Sequence, residues 1–414
     1  MRQREGFSIR ITECWCKETE PELTEKYMNN NLCVLAICNY PSSTNPTYQV
    51  FIRALLRQIA SVGVDVTVLA VENLVNWAKK GTGFRLAPRF EMRDGLPIHR
   101  PRCLTYSALS LPMGVKTLRW SFSSHTRTVL HEAKKLAGPF DMCLGYFLYP
   151  HGFAAAQVAA ALGIPAVVLL GESSFSQYET IYTRYEISQL LGGFAGVISN
   201  SPVITQRCIE RYGLSETKIR TFPNGVNESY FFPRDRKWAR QHCRLPLDRP
   251  IIVFVGHFIE RKGPLRVLEA IQSRPEIGAV FLGKGPQVPQ GPQVLYQGEV
   301  LHEDVPVWLS AADIFVLPTL NEGCNNAILE ALFCGLPVVS SDLAFNHGIL
   351  DEQVASLVDP CDVSALGQAI SLLVDDPERR EAMSRAALCR AQSFGLTDRA
   401  KRIVEFLRTL HNGN

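Results

Sequence analysis

Short unbroken apolar runs alternate with helical stripes along most of this 414-residue chain, and the alternation stops once and restarts. The first set of runs covers residues 32–38 (LCVLAIC), 64–71, 141–147, 165–170 and 196–199. Runs of this kind are what strands buried on both faces of a parallel sheet look like. Between the first two, Phe51, Leu55, Leu56 and Ile59 form one apolar stripe at helical spacing. Residues 222–250 then break the pattern with Pro223, Pro233, Pro246 and Pro250 among many charges, as a connection between domains does. New runs follow at 251–255, 279–282, 294–296, 313–317 and 338–340, with helical stripes between them. Strands alternating with helices predict an α/β fold, here built as two parallel-sheet units of similar size. The last segment, 397–410, places Ala400, Ile403, Val404 and Leu407 on one face and reads as an amphipathic helix. Residues 1–30 show no clear period, are polar and charged, and read as an extension outside the fold, not as a signal peptide.

Composition narrows the class. With 46% hydrophobic and 20% charged residues, this is an ordinary globular composition. A net charge of +3 gives no reason to expect a nucleic-acid partner, but its distribution is uneven. Between Lys79 and Lys135 twelve basic residues (Lys79, Lys80, Arg85, Arg89, Arg93, Arg100, Arg102, Lys116, Arg119, Arg127, Lys134, Lys135) face three acids (Glu91, Asp94, Glu132), an excess of nine. That block is either a surface for an anionic membrane or acceptor, or a solvated face. The twelve cysteines include no CxxC pair, and Cys14 and Cys16 are too close for a zinc knuckle. They read as reduced, mostly buried thiols of a cytoplasmic protein. The most apolar stretch, 153–170, is interrupted by Gln157, Gly163 and Pro165, so no membrane span is expected.

The segment 313–342, DIFVLPTLNEGCNNAILEALFCGLPVVSSD, carries the most chemistry. A strand ends at Pro318, a loop runs over 319–324, and Asn325 can cap a mostly apolar helix. Gly335 stands where helices end in a left-handed residue, and Pro337 opens the next strand. The helix therefore starts at the carboxyl edge of the sheet, where ligands of open α/β folds bind. Its free N–H groups suit a phosphate, and Glu322 and Glu330 suit sugar hydroxyls. Taken alone, each glutamate would read as a solvated turn or helix residue. The apolar helix around Glu330 argues that it has a partner.

EGCNNAILE resembles the E-x7-E motif of the GT4 family of retaining glycosyltransferases, and ALFCGLPVVSSD is similar to that family's continuation. The resemblance extends over most of residues 31–410. It includes NYPSSTNPTYQVFI, similar to the N-terminal loop of enzymes of cell-surface polysaccharide synthesis, and FPNGVNESYFFP between the domains. It implies the GT-B fold: two Rossmann-like domains facing a central cleft, with a C-terminal helix crossing back. On that basis residues 31–225 would be the acceptor domain, joined by 395–414, and 226–394 the nucleotide-sugar domain.

The resemblance also implies roles. Glu322 would bind hydroxyls of the donor sugar and Glu330 those of the ribose. Gly323, Cys324, Asn325 and Asn326 would present backbone N–H groups to sugar and phosphate. In VGHFIERKG, Lys262 and Arg261 would hold the diphosphate, with His257 where many members carry Arg. Gly283 and Gly285 of FLGKGP would form a turn near the nucleotide, and His151 of YPHG would approach the donor sugar. A histidine after a strand is otherwise more often structural. Gln49 stands where members often carry Gly, and an acidic residue common in members near Gly348 is missing. The implied partners are a UDP- or GDP-sugar and a glycan or lipid-linked acceptor at the inner face of the plasma membrane, with no metal and no cofactor. A sugar-nucleotide epimerase or hydrolase, and a non-catalytic sugar-nucleotide-binding subunit, are the rival classes.

Overall fold

A computed structural model of the chain describes residues 31–45, 49–74, 86–104, 117–136, 138–172 and 174–413. The extension 1–30, with Cys14 and Cys16, lies outside the described residues. So do Lys79, Lys80, Arg85 and Lys116 of the basic block.

The apolar runs become strands of two sheets. The N-terminal sheet has eight strands in the order Ile219–Thr221, Gly196–Ser199, Ala166–Leu170, Met142–Tyr146, Leu32–Ile37, Val64–Leu69, Leu96–His99 and Phe90–Arg93. All neighbours are parallel except the last pair, a hairpin. Asp94 and Gly95 turn that hairpin with φ of 57° and 78°, both left-handed, as a two-residue Asp-Gly connection requires. Asp94 is fixed there by Arg53, whose Nε and Nη2 each donate over 2.6 Å. The six-stranded second sheet is parallel throughout, ordered Val294–Gly298, Gly278–Leu282, Ile251–Val255, Ile314–Leu317, Val338–Ser341 and Ala355–Val358.

Successive residues of a strand point to opposite faces, and the N-terminal sheet is covered on both. Val34 and Ala36 meet the helix Val50–Ser61 through Ile52, Leu55, Leu56 and Ile59. Leu35 and Ile37 face the other way, toward Val129, Ala154, Val158 and Ile204. The final helix, Leu396–Asn412, buries Ala400, Ile403, Val404 and Leu407 against the first of these faces. The chain thus returns to the N-terminal sheet after building the second one. The two crossings lie side by side: Val226 N donates to Phe394 O and Leu396 N to Val226 O, each over 2.9 Å. A Cβ on Gly225 would sit 2.7 Å from the Leu396 backbone, so this close approach requires glycine.

Part of the basic block turns out to be internal. Arg100 is 2% exposed and donates to Tyr40 O, Pro41 O and the Glu91 carboxylate. Arg119 forms a two-pronged pair with Glu186. The ten cysteines among the described residues are all free thiols. Among those residues no helix is long and apolar enough to cross a membrane, and no group of three or more His, Cys, Asp or Glu could hold a metal ion.

Candidate functional site

The loop after strand Ile314–Leu317 is held from below by two serines of the next strand. Ser340 Oγ donates to Leu317 O (2.7 Å) and Ser341 Oγ to Thr319 O (2.5 Å). Asn325 caps the helix Asn326–Phe333 by accepting from Ala327 N over 3.1 Å, and Gly335 follows its end at φ 73°. Glu322 is fixed between these anchors. Its Oε1 receives Lys262 Nζ at 2.6 Å, Arg261 Nη1 at 2.5 Å and Thr319 Oγ1 at 3.2 Å. Arg261 also donates to Asn321 O, while Leu320 N donates to Arg261 O. The loop carrying Lys262 is therefore sewn to the loop carrying Glu322. Lys262 is only 9% exposed. Burial pulls the pKa of its ammonium down, and the Glu322 charge pushes back against that shift.

Gly283 and Gly285 have φ of 152° and 154°, and a Cβ on either would strike backbone carbonyls, of Gly256 at 1.9 Å and of Phe258 at 2.3 Å. Their visible role is to let the segment 256–258 lie flat on the neighbouring chain, where Phe258 N donates to Lys284 O. His257 between them is exposed. Glu330, one turn into the helix, is apart from the Glu322 cluster. Its Oε1 meets His302 Nε2 at 3.1 Å.

The opposing wall comes from the N-terminal sheet. His151 sits in the turn Leu148–Gly152 that follows strand Met142–Tyr146. Phe147 enters this turn at φ 68°, ψ 148°, a region that side chains rarely adopt. Glu172, two residues beyond strand Ala166–Leu170, holds the turn: Leu148 N donates to its Oε1 at 2.5 Å and Tyr178 Oη at 3.1 Å. Its Oε2 is buried with no hydrogen-bond partner. Burial pushes this carboxyl up to about 7, although the Leu148 N–H works in the other direction. His151 Nδ1 lies 3.0 Å from Tyr146 O, and burial lowers the ring's pKa to about 4. His125 stands edge-on to it at 5.2 Å with both ring nitrogens unpartnered. Burial, then the neighbouring His151, lower the His125 pKa to about 3.

The two walls touch through the glycine of EGCNN. A Cβ on Gly323 would lie 2.7 Å from Glu172 O and 3.2 Å from the Asn200 side chain. Asn224, on the connection between the sheets, donates from its backbone to Cys324 Sγ (3.2 Å). From Nδ2 it donates to Cys324 O (3.1 Å) and Asn326 Oδ1 (2.8 Å). Glu172 Oε2, Asn200 Oδ1, Asn224 Oδ1 and Asn325 Nδ2 remain buried and unpaired along this seam. Buried polar atoms without partners are costly, and these four lie along one seam.

The structure thus brings Glu322, Arg261 and Lys262 into contact, lays Gly323 to Asn326 along the seam, and puts His151 on the other wall. Glu330 and His257 are not in contact with that cluster. Sequence reasoning missed Glu172, Asn200, Asn224 and His302. Glu172 and Asn200 carried one usable signal, polarity directly after an apolar run. His302 carried none.

Comparison with known proteins bears on the family and the fold. Residues 47–225 match the family model "Glycosyl transferase 4-like domain" and residues 249–376 the model "Glycosyl transferases group 1". The chain is 28% identical over 351 residues to the putative teichuronic acid biosynthesis glycosyltransferase TuaC of Bacillus subtilis, covering 80% of this chain and 86% of that one. It is 24% identical over 395 residues to D-inositol 3-phosphate glycosyltransferase 1 of Catenulispora acidiphila, covering 88% and 91%. Among solved structures, sucrose-phosphate synthase of Thermosynechococcus elongatus superposes with a TM-score of 0.74 at 19% identity, over 93% of this chain and 100% of that one. Anabaena HepE in complex with UDP-glucose does so with a TM-score of 0.69 at 15% identity, over 92% and 100%.

Proposed function

We propose that this chain, which belongs to the GT4-type glycosyltransferases of GT-B fold, moves a sugar with retention from a UDP- or GDP-sugar to a glycan or lipid-linked acceptor of cell-surface polysaccharide synthesis. The observation that carries the reading is the Glu322–Lys262–Arg261 cluster beside the N-terminus of helix Asn326–Phe333. A buried ammonium needs a counter-charge. In the free protein Glu322 supplies it; in the donor complex the diphosphate takes Lys262 and Arg261. Glu322, released from them, accepts from sugar hydroxyls instead. As the bond between the sugar and the diphosphate breaks, negative charge gathers on the leaving phosphate, where Lys262, Arg261 and the N–H groups of the loop stabilise it. The acceptor hydroxyl arrives from the N-terminal wall, and the departing phosphate takes its proton on the same face. No protein nucleophile and no metal is required by this route. His151, neutral because it is buried, acts as a hydrogen-bonding group and not as an acid.

UDP-glucose in the Anabaena neighbour supports testing UDP-sugars first. The exposed part of the basic block supports peripheral contact with an anionic membrane, since each nearby cation adds about 1 kcal/mol of attraction. A thermal-shift screen of UDP- and GDP-sugars identifies the donor, because a bound ligand raises stability by mass action. Proton NMR of the product then reads its anomeric configuration. An inverted product overturns the retaining mechanism. Fast nucleotide release that no acceptor increases favours a hydrolase or epimerase.

A further inference from the structure

Glu330 projects from an otherwise apolar helix and is half-buried, with its side chain 12% exposed. A glutamate side chain has three rotatable bonds, and a carboxylate meant to meet a ligand must be held in one arrangement before the ligand arrives. On this helix the restraint comes from outside it. His302 lies on the segment between strand Val294–Gly298 and helix Val305–Ala311, and its Nε2 sits 3.1 Å from Glu330 Oε1. Among the described residues nothing donates to Oε2. The imidazole is itself fixed, edge-on to the Phe231 ring at 5.4 Å, on the connection between the two sheets. Its outer side reaches solvent, with the side chain 51% exposed.

The charges around it favour the contact. Burial works against protonation of His302, but the hydrogen bond and charge of Glu330, aided by Glu303, outweigh it and raise its pKa. Whether neutral with its proton on Nε2 or charged, the ring donates to the carboxylate. Tethering one oxygen while leaving its twin free is how a second side chain orients a primary ligand group.

We propose that His302 is a positioning residue for the nucleotide: by holding Glu330 Oε1 it presents Oε2 to the vicinal hydroxyls of the ribose. This rests on the donor reading above and adds to it a residue outside the E-x7-E segment. Two elements, the 299–304 segment and helix Asn326–Phe333, then form the ribose subsite together. Phe231 ties that subsite to the interdomain connection.

The test is isothermal titration of the full chain with UDP and GDP, and with their 2′,3′-dideoxy analogues. The proteins compared are wild type, His302→Ala, His302→Gln, Glu330→Gln and the His302→Ala, Glu330→Gln double variant. One charge-assisted hydrogen bond at a half-exposed site gives about a three- to tenfold effect. His302→Ala is expected to raise the Kd of the bound ribonucleotide by that factor. It should leave the Kd of the dideoxy analogue unchanged, because that analogue has no hydroxyl for Glu330 to receive. His302→Gln, which keeps an N–H donor, should recover most of the loss, and in the Glu330→Gln background His302→Ala should add little. Equal weakening of ribose and dideoxy nucleotides would show a general structural role and overturn the proposal, as would no effect on either. If wild type binds neither UDP nor GDP, the donor reading itself falls and this subsite with it. That outcome is distinct from tight wild-type binding that ignores His302.

Discussion

Glu322 and Glu172 belong to opposite walls of one seam, and Gly323 and the Glu172 carbonyl bring those walls into contact. Glu322 shares one oxygen among two cations and a hydroxyl. Glu172 has no cation beside it; a backbone N–H and a tyrosine hydroxyl hold one oxygen, and the other is bare. The Glu322 wall therefore sets a carboxylate against two cations. The N-terminal wall keeps its titratable groups near or at neutrality by desolvation, as Glu172, His151 and His125 all show. Opposite arrangements suit opposite partners. On the proposed function, a diphosphate would exchange with the counter-ion already in place, and an acceptor hydroxyl would meet neutral hydrogen-bonding groups that do not compete for the phosphate's cations.

The largest expected effect tests the charged wall. Lys262→Ala should lower kcat for nucleotide release from the donor by about a hundredfold, the range seen when one donor to a developing anion is removed. Donor KM should change less, because the phosphate charge grows in the transition state. An unchanged kcat would show that Lys262 serves only the ion pair with Glu322.

The next test separates the two roles of Glu322. Glu322→Gln should slow transfer by about tenfold or more, the worth of hydrogen bonds to a charged group. At the same time it should tighten binding of UDP or GDP, since Lys262 and Arg261 are no longer held by an internal carboxylate. Weaker binding of the bare nucleotide in this variant would mean that Glu322 is not displaced by phosphate.

The smallest effect on function, read as stability, tests the desolvated wall. Glu172 in the fold keeps its proton up to about 7, whereas an unfolded glutamate releases it near 4.5. Between those values the unfolded chain holds fewer protons than the folded one, so Glu172 costs stability as pH rises from 4.5 to 7. Two and a half units correspond to about 3 kcal/mol at full expression. Glu172→Gln keeps an oxygen for Leu148 N and removes the charge. It should raise the melting temperature at pH 7.5 and leave it nearly unchanged at pH 4.5. A lower melting temperature at pH 7.5 would show that the carboxylate is ionised and stabilised by a partner.

The difference between the walls also explains which residues were legible. Glu322, Lys262, Asn325 and Gly335 belong to short contiguous segments whose loop, cap and turn chemistry follows from local order, so the Glu322 wall could be read along the chain. The alternation of apolar runs likewise fixed ten of the strands. The hairpin Phe90–Arg93 and Leu96–His99 went unassigned despite its Asp-Gly turn, because its outer strand exposes Phe90 and Met92 and lacks an apolar run. Arg100 counted as surface charge in the sequence and proved to be a buried brace.

By itself the sequence determined the periodicities: two α/β units, a connection rich in proline, a capped helix at a sheet edge, and the carboxylates and cations of one motif. Those follow from interactions within a few residues of each other. The tertiary structure alone decided that Lys262 and Arg261 meet Glu322 sixty residues away, that Glu172 is buried without a counter-charge, and that His302 reaches Glu330. Burial and ion pairing depend on which segments the two sheets bring together, and long-range packing of that kind leaves no period in the chain.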